Sequence, residues 1–308
     1  MLRQPHPYRA LLLVWALVVS TLCLQPLTAF AAPQELTITP TSLTQTITPG
    51  KTYNGSFQIL NRGEAGYNYK VYPSAYSVKG EAYTPDFQPI KGAPDVASWF
   101  SIPTKTGYVK PGQSITVNFS IAMPAGTPPG GYYATIFTET QYPRSDQGIT
   151  LNQRVGEIFY LQAAGKVKES GQVDTWKAGL LQSSPLVATL RLRNDGGVHY
   201  AASAQVQVRD VFGNTKYALN TTKQVLPQTI RSIPVQWDKS PAIGLFKVTG
   251  SVNLLGNGQT LPTKWVLVMS PLIRVIVLLL FATAVAAALR KPVVKNRTQH
   301  KKKIAKKE

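Results

Sequence analysis

The chain contains 308 residues, which is enough for two domains of ordinary size. Apolar residues make up 44% of it, charged residues only 15%, and glycine and proline contribute 23 residues each. This composition is typical of strands and turns. It excludes a disordered chain and argues against an ordinary helical bundle.

The net charge of +19 is concentrated at the ends of the chain. Residues 290–308 hold nine basic residues and one acid, a net +8, while residues 32–264 hold 21 basic and 13 acidic residues, also a net +8. A nucleic-acid-binding protein needs its basic residues concentrated on a folded face. Because the densest basic cluster here is a terminal tail, we expect no nucleic-acid partner.

The N-terminus has the pattern of a secretory signal peptide. Two arginines precede the apolar stretch 10–24, which is followed by a small-x-small cleavage site at residues 29–31. We therefore predict a signal peptide over residues 1–31. The single cysteine, Cys23, lies inside this segment and is not preceded by the small residue that a lipoprotein signal needs. We expect neither a lipid anchor nor a disulfide.

A second apolar stretch lies near the C-terminus and is long enough for one helix of about 27 Å, close to the thickness of the bilayer core. We predict a transmembrane helix over residues 271–289 and, by the positive-inside rule, a basic cytoplasmic tail over residues 290–308. We interpret the tail as a stop-transfer signal that binds anionic lipids, with a cytoplasmic partner as the alternative. The prediction is a single-pass type I protein of the cell membrane with an extracellular ectodomain.

Period-two alternation dominates the ectodomain, and it predicts half-buried strands. Turn sequences such as Asn61-Arg62-Gly63 and Asn194-Asp195-Gly196-Gly197 separate the alternating runs. The apolar positions of one parity in these runs are Tyr53, Phe57 and Ile59; Tyr67, Tyr69 and Val71; Ile115, Val117, Phe119 and Ile121; Leu186, Ala188, Leu190 and Leu192; and Ala204, Val206 and Val208.

The order of these parts occurs twice. A strand ending in FQILNRG precedes a tyrosine-rich strand, VKPGQSITVNFSI and GGYYATIF; later, VATLRLRNDGG precedes AQVQVRD, VLPQTIRSIPVQW and GLFKVTGSV. We therefore predict an all-β fold of two immunoglobulin-like β-sandwiches in tandem, residues 32–168 and 169–270, followed by the transmembrane helix. The alternating stretch from Trp265 to Met269 is predicted to be the last strand of the second sandwich.

Two β domains stand between a predicted signal peptide and a predicted membrane helix with a basic tail. The first contains the sequences VKPGQSITVNF and GGYYA, and the second contains NDGG, VLP, VQW and GLFKV. This order resembles the WxL-interacting proteins of Gram-positive cell surfaces over nearly the whole chain. The resemblance implies a first domain associated with peptidoglycan, a second domain that contacts host matrix proteins, and a WxL-domain protein as partner. It assigns no individual ligand-contacting residues.

Candidate catalytic groups are few. His199 is the only histidine between the two predicted terminal segments, and no G-x-S-x-G elbow accompanies it, so we interpret it as a structural histidine beside a turn. No cluster of His, Asp or Glu has metal-ligand spacing, and we predict no catalytic residue, no metal and no cofactor. A hairpin could bring Glu139 near Glu157, as a glycosidase requires; the other interpretation is charge balance on a solvated face.

Tyrosine is concentrated in the first sandwich, which holds 11 of the 14. Tyr67 and Tyr69 share one strand parity while Tyr72 and Tyr76 share the other, so a simple two-layer sandwich cannot bury both pairs. Either the rings pack with their hydroxyls at the rim, or they form an amphipathic surface that stacks on sugars or binds a protein. These four tyrosines are the predicted ligand-binding residues.

The sequence thus predicts a membrane-anchored cell-surface binding protein, not an enzyme, that associates with cell-wall peptidoglycan and with a secreted surface protein of WxL type. Three alternatives stay open. A chaperone-like assembly protein of PapD-like architecture would accept a client β-strand at an open sheet edge. A wall-glycan hydrolase would show turnover on peptidoglycan. A signalling receptor would need a more complex cytoplasmic tail than the short basic one predicted here.

Overall fold

The computed structural model describes residues 36–141 and 152–289. The predicted signal peptide, residues 1–31, and the predicted basic tail, residues 290–308, lie outside these ranges. Strands make up most of the described chain, which confirms the all-β class.

The first sandwich encloses one hydrophobic core between two sheets. Its strands are β1 (Leu36–Thr39), β2 (Ser42–Ile47), β3 (Thr52–Asn61), β4 (Tyr67–Ala75), β5 (Ser77–Lys79), β6 (Thr84–Asp86), β7 (Phe100–Ser101), β8 (Thr106–Val109), β9 (Ser114–Ala122), β10 (Gly130–Gln141) and β11 (Arg154–Ala163), with a 3-10 helix at Val96–Trp99. One sheet has the order β1-β3-β9-β7 and the other the order β2-β11-β10-β4-β8, while β5 and β6 form a separate hairpin.

The second sandwich encloses its own core and continues into a C-terminal helix. Its strands are β12 (Gln172–Ala178), β13 (Leu181–Gln182), β14 (Leu186–Asn194), β15 (Tyr200–Asp210), β16 (Thr215–Val225), β17 (Thr229–Trp237), β18 (Ile243–Leu254) and β19 (Asn257–Met269), and the helix is α1 (Pro271–Leu289). The two sheets have the orders β12-β14-β17 and β13-β19-β18-β15-β16.

The two sandwiches share one strand order. The run β1-β3-β9 corresponds to β12-β14-β17, and β2-β11-β10-β4-β8 corresponds to β13-β19-β18-β15-β16. In both sandwiches the first strand of the larger sheet is parallel to the last strand of the domain, as β2 is to β11 and β13 to β19. The repeat in the sequence therefore has a structural counterpart.

A buried asparagine closes the same strand in each sandwich. Asn61, the last residue of β3, is fully buried, and its side-chain amide donates to the carbonyl oxygens of Ala65 at 2.8 Å and Val109 at 3.3 Å. Its Oδ1 accepts the backbone N–H of Gly63 at 2.9 Å. The amide therefore holds the following turn and ties it to the end of β8.

Asn194 makes the equivalent bonds at the end of β14. Its amide donates to the carbonyl oxygens of Val198 and Val225, both at 2.9 Å, and its Oδ1 accepts the N–H of Gly196 at 2.8 Å. Val225 ends β16 as Val109 ends β8. The turn sequences NRG and NDGG are thus parts of one repeated hydrogen-bonding device.

The predicted strand faces are confirmed by burial. The single-parity positions of the alternating runs point into the two cores, and among them Ile59, Val71, Leu190 and Val208 are completely buried. The stretch from Trp265 to Met269 belongs to β19, the last strand of the second sandwich, as predicted.

Helix α1 coincides with the segment for which the sequence predicts a membrane span, and Ser270 alone separates it from β19. Among the residues that the structure describes, no helix combines the length and hydropathy needed to cross a membrane. The side chains of residues 287–289 lie outside the described part of the chain. The transmembrane part of the fold prediction is therefore not confirmed.

Replacing Asn194 with alanine should destabilise the second sandwich by about 3 kcal/mol, because two buried carbonyl oxygens and one N–H lose their partner at once. Urea denaturation of the full chain measures this change. Asp195→Ala in the same turn removes an exposed hydrogen bond from Gln172 and a solvent-screened attraction to Arg193, and it should cost less than about 1 kcal/mol. Equal losses in the two variants would contradict the role assigned to Asn194.

Candidate functional site

Aromatic side chains cover the outer face of the sheet β2-β11-β10-β4-β8. Phe87 packs edge-on against Phe137 with ring centroids 4.7 Å apart, and Tyr76 packs edge-on against Tyr160 at 6.3 Å. The β5–β6 hairpin and the second sandwich lie over this face, since Tyr76 and Tyr160 share a buried cluster with Leu226. The aromatic face is therefore an interface between the two sandwiches.

Tyr83, at the tip of the β5–β6 hairpin, enters the second sandwich. It has a left-handed backbone conformation with φ of 59°, and its ring is buried under the guanidinium of Arg231, 4.2 Å from the centroid. Its hydroxyl accepts the backbone N–H of Leu226 at 2.9 Å and hydrogen-bonds the hydroxyl of Thr229. A buried tyrosine hydroxyl with two partners fixes the hairpin to the loop between β16 and β17.

Glu81 extends the same contact with backbone and charged groups. Its carbonyl oxygen accepts the N–H of Ser232 at 2.8 Å, and its carboxylate accepts Nε of Arg191 at 2.7 Å. Arg191 also binds Asp174 at 2.6 Å. The hydrogen bond from Arg191 lowers the pKa of Glu81, so this ion pair is fully formed at neutral pH.

His199 is part of the same interface. Its Nδ1 and the Tyr133 hydroxyl are hydrogen-bonded at 3.3 Å, and its ring lies 5.4 Å from that of Tyr160. Burial lowers the pKa of His199 to about 4, so the ring is neutral at physiological pH. These contacts agree with the interpretation of His199 as a structural histidine.

The four predicted tyrosines do not form one surface. Tyr67 and Tyr69 lie in the core of the first sandwich, and Tyr76 is buried between the sandwiches. Tyr72 is half-buried, and its hydroxyl donates to Glu139 at 2.9 Å. This corrects the expectation of an exposed stacking surface. The β5–β6 hairpin and the second sandwich cover the outer face of the sheet, so tyrosines of both parities are at least partly withdrawn from solvent.

Glu139 and Glu157 do not form a carboxylate pair. In the β10–β11 ladder, Glu139 lies opposite Arg154, and Glu157 lies opposite Ile136, three residues further along. Because strand residues alternate between faces, Glu139 is on the outer face and Glu157 on the core face of the sheet. This corrects the expected proximity, and it leaves no basis for a glycosidase mechanism at these two residues.

Glu157 is an isolated carboxyl group in the core of the first sandwich. Its exposed fraction is 1%, and its Oε2 has no hydrogen-bond partner in the described part of the chain. Burial raises its pKa to about 8, so the group is predominantly protonated at neutral pH. Protonation removes the cost of an unpaired buried charge.

A partly enclosed pocket lies beside the aromatic interface. It has a volume of about 190 Å³ and is walled by apolar and aromatic side chains that include Tyr76, Ile90 and Tyr132. Asp95 is the one charged residue in its lining. Within residues 36–141 and 152–289, no group of three or more His, Cys, Asp or Glu side chains is placed to hold a metal ion.

Three of the four edge strands of the second sandwich carry features that block pairing with another strand. Strand β12 has a bulge between Val173 and Thr175, and β16 carries Lys216 and Lys223. Strand β17 contains Pro234, which has no N–H to offer. Bulges, lysines and prolines are the usual protection of sheet edges.

Strand β9 lacks this protection. Its nine residues from Ser114 to Ala122 include no proline and no charged side chain, and the whole stretch 111–138 is uncharged. The edge strand β7 pairs only with Ser120 and Ile121, because Pro103 follows it and the chain then crosses to the other sheet. In the described structure, no strand pairs with the outer side of residues 114–118.

The backbone groups on this open edge can be assigned from the ladder. The N–H of Asn61 donates to the carbonyl of Gln113, so odd-numbered residues of β9 hydrogen-bond to β3. The N–H and C=O groups of Ser114, Thr116 and Asn118 therefore point away from β3. We call this five-residue stretch, about 17 Å long at 3.4 Å per residue, the open β9 edge. The sequence shows that this strand is rich in β-branched residues and has no charge and no proline. It does not show that the strand lies at the edge of a sheet.

No protein-family model and no curated protein matches the chain. Among solved structures, it is similar to the class 5 fimbriae chaperone CfaA, with 10% identity, 76% of this chain and 99% of that chain covered, and a TM-score of 0.38. The CsuC–CsuE chaperone–tip subunit complex from Acinetobacter baumannii gives 10% identity, 76% and 98% coverage and a TM-score of 0.39. The E. coli chaperone DraB is similar with 14% identity, 75% of this chain and 96% of that chain covered, and a TM-score of 0.37. Values in this range do not establish a shared function.

Replacing Glu157 with glutamine should remove a pH dependence of stability. The pKa of Glu157 is near 4.5 in the unfolded chain and about 8 in the folded one. As far as this group is concerned, the folded protein is therefore most stable below pH 4.5, and its free energy of unfolding falls as the pH rises from 4.5 to about 8. We expect the free energy of unfolding of Glu157→Gln to exceed that of the wild type by a few kcal/mol at pH 8, on the order of one kcal/mol for each unit of pKa shift. At pH 4.5 the difference between the two proteins should be much smaller. Urea denaturation at both pH values measures this, with Glu139→Gln as the matched control.

Amide hydrogen exchange should alternate along β9. The N–H groups of Ser114, Thr116 and Asn118 should exchange orders of magnitude faster than those of Ile115 and Val117, which are bonded to β3. Residue-resolved exchange of the free chain by NMR or by fragmentation mass spectrometry measures this pattern. Equal protection of Thr116 and Val117 would show that the edge is covered.

Proposed function

We propose that this chain is a non-enzymatic surface protein that binds another protein by taking up one of its strands along the open β9 edge. The supporting observation is the combination of three outward-pointing backbone pairs with the absence of any charge, proline or bulge between Ser114 and Ala122. Strand addition uses main-chain hydrogen bonds for affinity and alternate side-chain contacts for specificity.

The side chains beside the edge define the strand that would fit. Val117 and Phe119 belong to the core, while Ile115 is only partly buried against it. An added strand would place every second side chain over this partly covered core, so those positions should be apolar. Its other side chains would face solvent beside Thr116 and Asn118, both exposed, and should be polar.

The contact between the sandwiches supports a role in presenting a fixed surface. Tyr83, Glu81 and His199 connect the first sandwich to the second through buried hydrogen bonds, ring contacts and an ion pair. A partner bound at β9 would therefore be held in a defined orientation relative to the second sandwich. This favours the chaperone-like or assembly function over a flexible tether.

The wider setting rests on the sequence. Extracellular location, membrane attachment and the absence of enzymatic activity are part of the proposal. The resemblance implies a WxL-type surface protein as partner, and we propose that this protein donates the strand. Association with wall glycan stays a prediction without assigned residues, because Tyr67, Tyr69 and Tyr76, on which it depended, are buried.

A proline at position 116 should abolish strand uptake without breaking the sandwich. Thr116 is exposed and its N–H points away from β3, so Thr116→Pro removes an outward donor while the β3–β9 ladder is kept. We expect a photo-crosslinking amino acid at Asn118 to capture a partner in expressing cells in the wild-type background and in Thr116→Val, but not in Thr116→Pro.

Two controls make this test decisive. The same crosslinker at Thr221 on the lysine-bearing edge strand β16 should capture no such partner. Thermal unfolding of Thr116→Pro should match that of Thr116→Val to within a few degrees. Capture that persists in a folded Thr116→Pro variant would contradict strand addition at this edge.

A further inference from the structure

Exposed apolar side chains are concentrated at one end of the second sandwich. Outside helix α1, the described residues include ten large apolar side chains that are exposed, and seven of them lie at the end where the chain enters α1. Phe212, in the turn after β15, is 87% exposed. The seven are Leu180, Leu181, Val211, Phe212, Ile243, Leu245 and Trp265.

Four of these side chains, Leu181, Ile243, Leu245 and Trp265, belong to strands of the sheet β13-β19-β18-β15-β16, and the other three lie in the adjoining turns. The even-numbered residues Phe246, Val248, Val266 and Val268 point into the core, so odd-numbered residues of β18 and β19 point outward. We call the outward surface of these strands between their α1 end and Trp265 the α1-proximal face.

The register arranges this face in rows. The row nearest α1 pairs Ile243 with Met269, and the next row joins Leu245, Leu267 and Leu181. The third row contains a tryptophan and two basic residues instead of aliphatic side chains, because Lys247 lies opposite Trp265 on one side and opposite Arg209 on the other. Apolar side chains are therefore nearest α1, and a tryptophan with two basic residues follows.

The start of α1 is fixed against the sandwich. The Arg274 side chain donates to the carbonyl of Met269 at 2.8 Å and to the Ser183 hydroxyl at 3.1 Å, and the N–H of Ser270 donates to the carbonyl of Ala242 at 2.7 Å. The apolar side chains of α1, among them Leu278 and Phe281, are exposed. The α1-proximal face therefore lies beside the start of a helix whose apolar side chains are exposed.

We propose that the α1-proximal face lies on the surface of a bilayer containing anionic phospholipid. The order from apolar side chains to tryptophan and basic groups matches the order from acyl chains to headgroups in a membrane interface. Arg209 and Lys247 add attraction to anionic lipids. Asp210, an acid adjoining this face, is paired with Lys216 at 3.1 Å.

The test uses the full chain with Cys23 changed to serine and a single new cysteine for an environment-sensitive fluorophore. Leu245→Cys places the label on the α1-proximal face, and Asn257→Cys places it at the opposite end of the same sheet. In phosphatidylcholine–phosphatidylglycerol vesicles, we expect the label at 245 to shift to shorter emission wavelength and to resist iodide quenching. The label at 257 should stay accessible.

Charge variants provide the second arm. In the Leu245→Cys background, Lys247→Gln or Arg209→Gln should each reduce the ratio of shielded to exposed label about fivefold, while Lys223→Gln, far from this face, should leave it unchanged. Equal quenching of the labels at 245 and 257 would overturn the proposal, because anchoring by α1 alone leaves residue 245 in water. Shielding only in native membranes, and not in pure lipid, would show that a protein covers the face and would also overturn it.

Discussion

The structure depends on the burial of an aromatic sheet face between two sandwiches. Tyr83 is the centre of that contact, since its ring and hydroxyl are both satisfied by the second sandwich. Burial of several aromatic rings contributes more than the exposed part of the Glu81–Arg191 ion pair, which is screened by solvent. The same burial keeps His199 neutral and removes Tyr76 and Tyr160 from the surface. What looked like a ligand-binding face is therefore structural.

Within each sandwich, a single amide performs the equivalent local task. Asn61 and Asn194 are completely buried, and each uses both its donor and its acceptor on backbone groups of the following turn and of a distant strand end. Asparagine suits this position because its side chain offers two N–H donors and a carbonyl acceptor in one plane. The shared strand order of the two sandwiches thus has a shared chemical basis.

Binding surfaces are what this arrangement leaves uncovered. A bulge, lysines and a proline protect the edge strands β12, β16 and β17 of the second sandwich, whereas β9 in the first has none of these. The exposed apolar side chains are also unevenly distributed over the surface, because most of those outside α1 lie at one end of the second sandwich. The open β9 edge belongs to the first sandwich and the α1-proximal face to the second, so the contact between the sandwiches fixes their relative positions.

The sequence by itself determined the all-β class, the strand faces at residues such as Ile59 and Leu190, the last strand through Met269 and the repeated turns, because alternation and turn chemistry are local properties. It also placed the apolar helical segment. Only the tertiary structure decided that Tyr76 is buried against the second sandwich, that Tyr72 is half-buried beside Phe137, and that Glu139 and Glu157 lie on opposite faces of a sheet. Sheet register and edge position depend on which distant strands pair, and a single strand's pattern carries no record of its neighbours. The open β9 edge is for that reason a property of the fold, although the alternation of Ile115, Val117, Phe119 and Ile121 predicted a strand there.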